Sequence, residues 1–272
     1  MGDSYLATGF RDVDGSGAAS AYLDCLRLLD SLPYFREYKE ESYEWLGLGE
    51  GDRVLDAGCG LGDDVFRMAE RVGEGGRVVG VDCSRELLEK GRSDERAKRL
   101  PVEFVHGDLG ALPFEVGVFG AVRVDRVLQH VPGLDEAFRE FWRVLETGGR
   151  LLVYDNDWGS FAVASDLGEV TRVLERSWAG AFANPGIGRE LEGRFEGVGF
   201  GEVSVRSKVM VIEDFETADR VFNLRETVRR AVDSGFVKRA EGEQWESEME
   251  VRSVAGNFSA SLTAYMVRGR KG

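Results

Sequence analysis

The sequence predicts an α/β protein with a doubly wound, mostly parallel sheet, and three observations support this fold class. Short apolar segments alternate with amphipathic helical patterns between residues 53 and 152. A glycine-rich turn joins the first apolar segment to the first of these helices. Two further strand patterns, at 203–212 and 259–267, flank a helical stretch at 214–255 that is too long for a simple connection.

The chain of 272 residues is long enough for one large domain or for a core with a cap. We predict an N-terminal arm with helices at 1–47, a central core at 48–160, and the remaining core strands with a helical insertion at 161–272. We call residues 214–255 the lid, because we expect this insertion to cover the ends of the strands.

The N-terminal segment is predicted to have two parts. Residues 1–17 carry few apolar groups and are expected to form a loose arm. Apolar residues at helical spacing follow, and Pro33 divides them into two helices. These helices either pack on the edge of the sheet or bring Tyr5, Phe10 or Tyr34 over a bound ligand.

Each further element is placed by its hydrophobic period, which is two residues in a strand and 3.6 in a helix. The predicted strands of the alternating region are 53–56, 77–81, 102–106, 118–124 and 149–154. The predicted helices between or after them are 63–72, 84–98, 134–146, 161–179 and 186–197. Ligands of such sheets bind beyond the carboxyl ends of the strands, so we expect the functional side chains there.

The turn after the first strand is the most informative stretch of the chain. Asp56 ends the strand, and glycines occupy positions 58, 60 and 62 before a helix begins at Asp63. Glycines let the backbone approach a ligand closely, which is typical of nucleotide-type cofactor sites. Dinucleotide sites need a third glycine where this chain has Asp63, followed by Asp64. Because these carboxylates would repel a pyrophosphate, the turn favours a ligand with an ammonium and a sulfonium, such as S-adenosylmethionine.

Two acids follow the next two strands. Asp82 is placed to accept hydrogen bonds from both ribose hydroxyls, since Ser84 is the more natural helix N-cap and leaves Asp82 free. Asp108 is placed to bond the adenine amino group, with Leu109 against the ring. The alternatives are that Asp82 helps to start the helix and that Asp108 forms a turn with Gly107.

The end of the fourth strand offers a candidate general base. His130 is one of two histidines, and an imidazole with an unperturbed pKa of about 6.5 suits proton transfer near neutral pH. Asp125 is a further candidate at the same strand end. A structural role for His130 is the alternative.

The fifth strand is predicted to end at Tyr154 and to exit into Asp155, Asn156, Asp157 and Trp158. Two acids, an amide and an indole make this stretch a candidate substrate wall, with Asp155 and Asp157 as further candidate bases. Tyr154 and Trp158 could stack on a flat or cationic ligand. A polar loop, or a metal site with the two acids as oxygen ligands, are the alternatives.

The composition limits the partners and the compartment. A net charge of −14 predicts a repulsive field for nucleic acids. There is no apolar run of about 18 residues and no visible leader pattern, so no membrane partner is expected. Three scattered cysteines, Cys25, Cys59 and Cys83, fit free thiols in the cytoplasm and show no metal-ligand spacing. We expect a cytoplasmic monomer or homodimer with a small-molecule substrate and no metal.

Four motifs occur in order: VLDAGCGLGDD, GVDCS, GDLGALPF and RVLETGGRLLVYD. With them the chain resembles the Rossmann-like (class I) S-adenosylmethionine-dependent methyltransferases, in particular the small-molecule branch that includes the ubiquinone and menaquinone C-methyltransferases. The resemblance covers roughly residues 40–155, with a weaker match in the last two strands. The chain departs from the family at Gly120, where Asp is frequent, at Thr147, where Pro is usual, and in the lid.

The resemblance implies a role for each matching residue, and it makes the core at 48–160 a unit that binds S-adenosylmethionine. Arg123 and Val124 would flank the transferable methyl group, and the glycine turn with Asp56 would hold the methionine end. The full set of implied cofactor-binding residues is Asp56, Gly58, Cys59, Gly60, Gly62, Asp82, Cys83, Asp108, Leu109, Arg123 and Val124.

The implied reaction is direct displacement of the methyl group by a nucleophile of a small molecule, with a base only where the nucleophile must lose a proton. Three alternatives stay open. An NAD-dependent oxidoreductase is opposed by Asp63. A non-catalytic sensor that binds S-adenosylmethionine would lack a base. A protein or RNA methyltransferase is the third, and the acidity of the chain opposes RNA.

Overall fold

The computed structural model of the chain describes residues 5–10, 12–15 and 19–272. Its described part contains one seven-stranded sheet with the strand order β3-β2-β1-β4-β5-β7-β6. The strands are β1 Arg53–Ala57, β2 Arg77–Asp82, β3 Val102–His106, β4 Phe119–Asp125, β5 Leu145–Val163, β6 Gly201–Ile212 and β7 Ala260–Arg270. Strands β1 to β5 pair in parallel, and β7 runs antiparallel between β5 and β6. The predicted doubly wound, mostly parallel sheet is therefore confirmed.

Helices cover both faces of the sheet. They are α1 Leu6–Gly9, α2 Ala19–Ser31, α3 Pro33–Leu46, α4 Asp63–Val72, α5 Arg85–Ser93, α6 Leu134–Val144, α7 Gly168–Ala179, α8 Ile187–Val198, α9 Phe215–Phe222, α10 Leu224–Asp233 and α11 Arg239–Val254. Ser84 caps α5 by accepting a hydrogen bond from the Leu87 amide at 3.1 Å, as its position in the sequence predicts.

The alternation of side chains along each strand divides the interior into two apolar clusters. On β1, Val54 faces the cluster that holds α3, α4 and the lid, whereas Leu55 faces the cluster that holds α6 and α8. Both residues are fully buried, as expected for parallel strands covered on two faces. Polar side chains at the carboxyl ends of these strands consequently point to one cluster or the other according to their parity.

The fifth strand is much longer than the sequence predicts. Instead of ending at Tyr154, β5 continues to Val163, and Asp155 and Asp157 pair with Tyr265 and Thr263 of β7. The prediction that residues 155–158 form an exit loop is therefore wrong, because they belong to β5. The physical cause lies far along the chain, because the extension is held by hydrogen bonds to β7 rather than by its own composition.

The described part of the N-terminal arm is packed against the protein rather than loose. Tyr5 is 3% exposed, Leu6 is 7% exposed and Val13 is 3% exposed. Residues 1–4, 11 and 16–18 of the predicted arm lie outside the described residues. The arm contributes apolar surface to the same cluster as the lid.

The lid consists of α9, α10 and α11 between β6 and β7, in agreement with the prediction of a helical insertion. Asp214 caps α9 by accepting from the Thr217 amide at 2.7 Å, and Phe215 and Phe222 of α9 are buried. In the part of the chain that the structure describes, no helix has both the length and the apolar character needed to cross a membrane.

Candidate active site

A cavity of about 390 Å³ opens at the carboxyl ends of the first four strands. It lies where the strand order reverses between β1 and β4, the usual ligand-binding position in such sheets. The described residues that line it are Phe10, Val13, Leu26, Leu29, Gly58, Gly60, Asp82, Cys83, Leu87, Gly107, Asp108, Leu109, Asp125, Arg126, Val127, Gln129, His130, Val131 and Pro132. We call it the cofactor cavity.

The glycine turn forms one wall of the cofactor cavity, and its glycines differ in function. Gly58, Gly60 and Gly62 have φ values of 81°, 54° and 83°, in the left-handed region that side chains disfavour. A Cβ on Gly58 would lie 2.3 Å from Val127 Cγ2, and one on Gly62 would lie 2.4 Å from the Phe104 ring. A Cβ on Gly60 would meet nothing nearer than Leu26 at 3.6 Å. Gly58 and Gly62 are therefore required by packing, whereas Gly60 leaves open space beside the cavity.

Asp82 joins the turn to the second strand end. Its Oδ2 accepts from the Gly60 amide at 2.8 Å, and its Oδ1 accepts from the Ser84 amide at 2.9 Å. Two carboxylate oxygens have four lone pairs in all, so these backbone hydrogen bonds do not use every acceptor position of Asp82. Burial raises the pKa of Asp82, while the backbone amides of Ser84 and Gly60 oppose this shift. The predicted role towards a pair of hydroxyls fits this geometry.

Asp108, Leu109 and Cys83 also line the cofactor cavity. Asp108 accepts from the Gly110 amide at 2.7 Å and is otherwise exposed, so it combines a turn with an available carboxylate oxygen. Leu109 is buried and presents an apolar surface beside it. The structure thus brings together the residues that were predicted for the ribose and adenine.

A buried charge network lies behind the glycine turn and contains Arg123, whose side chain is fully buried. Arg123 pairs with Asp64 at 3.1 Å and with Asp56 at 3.4 Å, and Lys39 donates to Asp64 at 2.8 and 2.9 Å. Burial raises the pKa of Asp56 despite the nearby Arg123. Burial acts in the same sense on Asp64, but Lys39 and Arg123 outweigh it and hold the pKa of Asp64 below its usual range.

The predicted contacts of Arg123 and Val124 with the cofactor stay predictions. Neither side chain lines the cofactor cavity, but Arg123 lines a small pocket with Gly58 and Gly60 of the turn. Val124 is buried in the cluster that holds α6 and α8. The argument from a strongly anionic turn is also weaker than the sequence suggests. Asp63 pairs with Arg96 at 2.9 Å and Asp64 with Lys39, so much of their charge is neutralised locally.

A second, smaller cavity of about 60 Å³ adjoins the first, and we call it the chamber. It shares Phe10, Leu29, Arg126, Gln129 and His130 with the cofactor cavity. Its other described lining residues are Leu6, Cys25, Tyr34, Phe35, Tyr154, Asn156, Trp158, Trp178, Phe182, Met210, Val221, Phe222 and Leu262. Most of them are aromatic or aliphatic, and they come from the arm, from α2, α3, α7 and α9, and from strands of the sheet.

The alternation of β5 sorts the five residues predicted for the substrate and base. Tyr154, Asn156 and Trp158 line the chamber, whereas Asp155 and Asp157 line neither the chamber nor the cofactor cavity. Trp158 stacks on Phe182 with ring centroids 4.2 Å apart, and its Nε1 donates to the Gln129 carbonyl oxygen at 2.7 Å.

The two acids have structural partners instead. Asp155 is fully buried and accepts from the Gln129 and Asn156 amides at 3.2 and 2.9 Å. Burial raises its pKa to about 7. Asp157 pairs with Arg189 at 2.5 Å. Among the described residues no group of three or more His, Cys, Asp and Glu side chains is arranged to hold a metal ion. Neither acid lines the chamber or the cofactor cavity, so the geometry gives no support to their predicted role as bases.

His130 lies at the boundary between the two cavities and lines both. Its ring sits between Phe10 and Phe182, with centroids 5.6 and 5.5 Å away. Its Nε2 lies 3.2 Å from the Gln129 amide nitrogen, which also donates to the Arg126 carbonyl at 3.1 Å. Because an amide NH₂ only donates, Nε2 is the accepting nitrogen of the neutral ring.

Gln129 and Arg126 are site residues that the sequence analysis did not identify. The Gln129 carbonyl oxygen accepts from both Asn156 and Trp158, so this side chain connects His130 to β5. The pattern Arg126-Val127-Leu128-Gln129-His130 directly follows a buried strand, and its polar side chains were a signal for both residues. Their contacts with β5 lie almost thirty residues away and leave no local pattern.

The fold and the two adjoining cavities define an α/β protein of the class that binds a nucleotide-type cofactor at the carboxyl ends of a doubly wound sheet. A family model described as a methyltransferase domain matches residues 48–184. The chain belongs to this methyltransferase family, and S-adenosylmethionine is its cofactor. The residues of the cofactor cavity fit that ligand, since the space beside Gly60 is open and Asp82 retains acceptors.

Individual relatives agree with this assignment. The chain is 36% identical over 249 residues to a 37.1 kDa protein in transposon TN4556 of Streptomyces fradiae, covering 91% of this chain and 70% of that protein. It is 36% identical over 120 residues to 2-phytyl-1,4-naphtoquinone methyltransferase of Synechocystis, covering 43% of this chain and 50% of that enzyme. The chain thus spans about half the length of the quinone methyltransferase.

A solved structure shows the same fold. Phosphoethanolamine N-methyltransferase 2 of Haemonchus contortus, in complex with S-adenosyl-L-methionine, superimposes with a TM-score of 0.60. The match covers 96% of this chain and 60% of that chain at 18% sequence identity. At this identity the likeness concerns the fold alone.

Proposed function

We propose that the chain methylates a small-molecule acceptor that enters the chamber and is mainly apolar or aromatic where it contacts the protein. The observation that carries this proposal is the shared wall between the two cavities, formed by Phe10, Leu29, Arg126, Gln129 and His130. A ligand in each cavity would meet its neighbour at this wall. The name of the Synechocystis relative, a naphthoquinone methyltransferase, supports an acceptor with a flat ring.

The size of the chamber supports a small acceptor group. A buried water needs roughly 10–15 Å³ of such space, so a cavity of about 60 Å³ has room for about five water-sized groups. A space of this size accommodates the reacting part of a small ring-shaped acceptor. The stacked pair Trp158 and Phe182 offers a flat surface for it.

S-adenosylmethionine, when bound, supplies an electrophilic methyl group to a nucleophilic atom of the acceptor. The chain's own residues orient the two ligands and exclude water. Asp82 and Asp108 hold the nucleoside side, while the aromatic chamber holds the acceptor. Positioning of this kind contributes on the order of 7–11 kcal/mol to lowering a barrier between two bound reactants.

His130 is the proposed base for acceptors that must lose a proton. Its Nε2 is held at 3.2 Å by the Gln129 amide, a long hydrogen bond that an acceptor hydroxyl can replace. The proton would then pass from the acceptor to Nε2, while the ring stays between Phe10 and Phe182. None of the other candidate bases, which are Asp125, Asp155 and Asp157, lines the chamber.

The test is a screen of small aromatic acceptors with isotopically labelled S-adenosylmethionine, read by mass spectrometry. We expect labelled product with at least one acceptor, and His130→Ala should lower turnover at least tenfold while cofactor affinity changes less than twofold. His106→Gln is the matched control, because His106 is exposed and lines neither cavity. Cofactor binding without transfer to any acceptor would favour a sensor and contradict the proposal.

A further inference from the structure

Arg126 occupies a strained position directly after β4. Its φ of 56° places it in the left-handed region, which bulky side chains rarely adopt. The conformation is held by a hydrogen bond of 2.7 Å from its amide to the Tyr154 carbonyl oxygen of β5. A backbone fixed in this way also fixes the direction of the side chain, and such outliers cluster at functional sites.

The Arg126 guanidinium is incompletely paired by the protein. Its Nε is buried and has no hydrogen-bond partner within the described residues. The nearest carboxylate oxygen is Asp125 Oδ1 at 3.5 Å. Asp125 is already shared, because it accepts from Arg123 and Tyr38, each at 3.0 Å. A guanidinium offers five N–H donors in a planar fork, so Arg126 has donors left for a ligand.

The environment of the guanidinium points to the chamber. Arg126 lies over the Phe35 ring at 4.9 Å, and Phe35 lines the chamber but not the cofactor cavity. Cys25 likewise lines the chamber and not the cofactor cavity. Burial raises the pKa of the Cys25 thiol to about 11, and the positive charge of Arg126 opposes this shift. The charge therefore acts on groups of the chamber wall.

The charge of the chamber is opposite to that of the whole chain. The chain has a net charge of −14, yet the described residues that line the chamber include Arg126 and neither Asp nor Glu. Because Asp125 is 3.5 Å from Arg126 Nε and is shared with Arg123 and Tyr38, an acceptor with an ammonium group would meet a cation there that is only partly neutralised. An acceptor with an anionic oxygen would supply the missing partner, and in a buried site such a charge-assisted pair is strong.

We propose that Arg126 binds an anionic group of the methyl acceptor and that the acceptor class is a small aromatic or apolar acid. A carboxylate is the preferred group, since a guanidinium fork matches it with two parallel hydrogen bonds. This inference rests on the proposed function, because it assigns the chamber to the acceptor. It separates this chain from enzymes of the same fold that act on amines.

The test compares acids with neutral partners of the same shape. Benzoate and salicylate, each beside its amide, are titrated into the full chain saturated with S-adenosylhomocysteine. Quenching of tryptophan fluorescence reports binding, since Trp158 and Trp178 line the chamber. We expect each acid to bind at least tenfold more tightly than its amide. Arg126→Met should remove this preference, and Arg126→Lys should retain part of it.

Arg139→Met is the matched control for loss of one arginine, because its side chain is 68% exposed on α6 and pairs with Glu136. It should keep the full preference for acids. Affinity for S-adenosylhomocysteine is measured by calorimetry for every variant, so that a loss of the preference for acids is separated from a loss of cofactor binding. Circular dichroism checks that each variant folds. If Arg126→Met does not fold, the preference for acids is compared between Arg126→Lys and the wild type instead.

Three outcomes would overturn the proposal. The first is equal affinity of the wild-type chain for acid and amide, or no binding of either. The second is an undiminished preference for acids in Arg126→Met. The third is a tenfold loss of S-adenosylhomocysteine affinity with the preference for acids kept, which would assign Arg126 to the cofactor's carboxylate. Binding of acids together with the absence of methyl transfer to every acceptor of the screen would refute the proposed function and leave the anion site standing.

Discussion

Asp82 shows how one carboxylate can serve both the fold and a ligand. Its two oxygens each accept a backbone amide, from Gly60 and from Ser84, and so fix the turn relative to the start of α5. Asp82 also lines the cofactor cavity, where lone pairs that the backbone does not use can accept from a ligand. The same side chain thus sets the shape of the site and offers acceptors to the ligand's hydroxyls.

Asp82→Asn should weaken binding of S-adenosylhomocysteine at least tenfold, or about 1.4 kcal/mol. The amide keeps one acceptor oxygen, and its NH₂ group would face a backbone amide that needs an acceptor. Calorimetry measures the affinity. Asp135→Asn is the control, because its side chain is 76% exposed on α6. Unchanged affinity in Asp82→Asn would show that Asp82 serves the turn alone.

Asp155 should make the stability of the protein fall as the pH rises towards neutrality. Burial raises its pKa in the folded state to about 7, whereas an unfolded chain has a value of about 3.9. The folded state therefore binds the proton more tightly, and this contribution is complete below about pH 4 and is lost as the pH rises through 7.

Asp155→Asn should accordingly gain stability relative to the wild type between pH 5 and pH 8, by on the order of 3 kcal/mol. The relative change with pH is the prediction, since the amide also loses one acceptor for the Gln129 and Asn156 amides. Urea unfolding at both pH values measures it. Asp166→Asn, with a side chain that is 89% exposed, should show no such trend. A parallel pH dependence of Asp155→Asn and wild type would contradict the assignment.

Among the elements, the glycine turn and β5 differ in how much the sequence reveals. The turn is a local structure, since Gly58, Gly60 and Gly62 need left-handed backbone that only their own residue type provides easily. The sequence predicted the end of β1 and both ends of the helix after the turn to within one residue. The length of β5 depends on β7, which lies about a hundred residues later, so composition alone placed its end nine residues too early, at Tyr154 instead of Val163.

This difference decided which site residues could be predicted. The acids and amide of 155–158 were expected to face one site, as they would from a loop. Within a strand they alternate, so Asn156 and Trp158 reach the chamber and Asp155 and Asp157 do not. For the same reason the side chains of Arg123 and Val124 point to opposite faces of β4.

Gly60→Ala should lower affinity for S-adenosylhomocysteine at least tenfold while the protein stays folded. The new Cβ has room within the protein, with Leu26 at 3.6 Å as its nearest neighbour, and it would occupy space next to the cavity. The left-handed backbone adds a strain of about 1–2 kcal/mol. Gly51→Ala is a matched control, because its φ of 87° carries the same kind of strain with nothing within 4 Å.

Thermal unfolding and calorimetry separate the two effects. Both variants should lose a similar amount of stability, and only Gly60→Ala should lose affinity. An equal loss of affinity in Gly51→Ala, or none in Gly60→Ala, would mean that the turn acts through its strain rather than through the space it leaves.

On the scale of the whole molecule, the N-terminal arm connects the core with the lid. Tyr5 forms a hydrogen bond of 3.0 Å with Thr227 of α10, and the Leu6 amide donates to Asn223 at 2.8 Å. Further along the arm, Asp14 accepts from Ser84 at 2.5 Å and from the Arg85 amide at 2.8 Å. The contacts of Tyr5 and Leu6 span more than two hundred residues of sequence and those of Asp14 about seventy, so no local pattern could reveal them.

The arm also closes the site, because Phe10 and Val13 line the cofactor cavity and Phe10 lines the chamber. A segment held at both ends should be ordered together with the ligand it covers. Binding of S-adenosylhomocysteine should therefore slow hydrogen exchange in residues 5–10 and 12–15, and the slowing should depend on the contact of Asp14 with the start of α5.

Asp14→Ala removes the carboxylate that holds the arm to Ser84 and Arg85. We expect faster hydrogen exchange of residues 5–10 and 12–15 in the bound protein and a three- to tenfold weaker affinity for S-adenosylhomocysteine. The melting temperature should change little, since Ser84 still caps α5 through the Leu87 amide. Asp12→Ala is the control within the same arm, because Asp12 accepts only from Gly15 of the arm itself among its described contacts. If Asp14→Ala exchanges as slowly as Asp12→Ala and binds equally well, the arm covers the cavity without being anchored at Ser84. Closure would then have to come from the contacts with the lid alone.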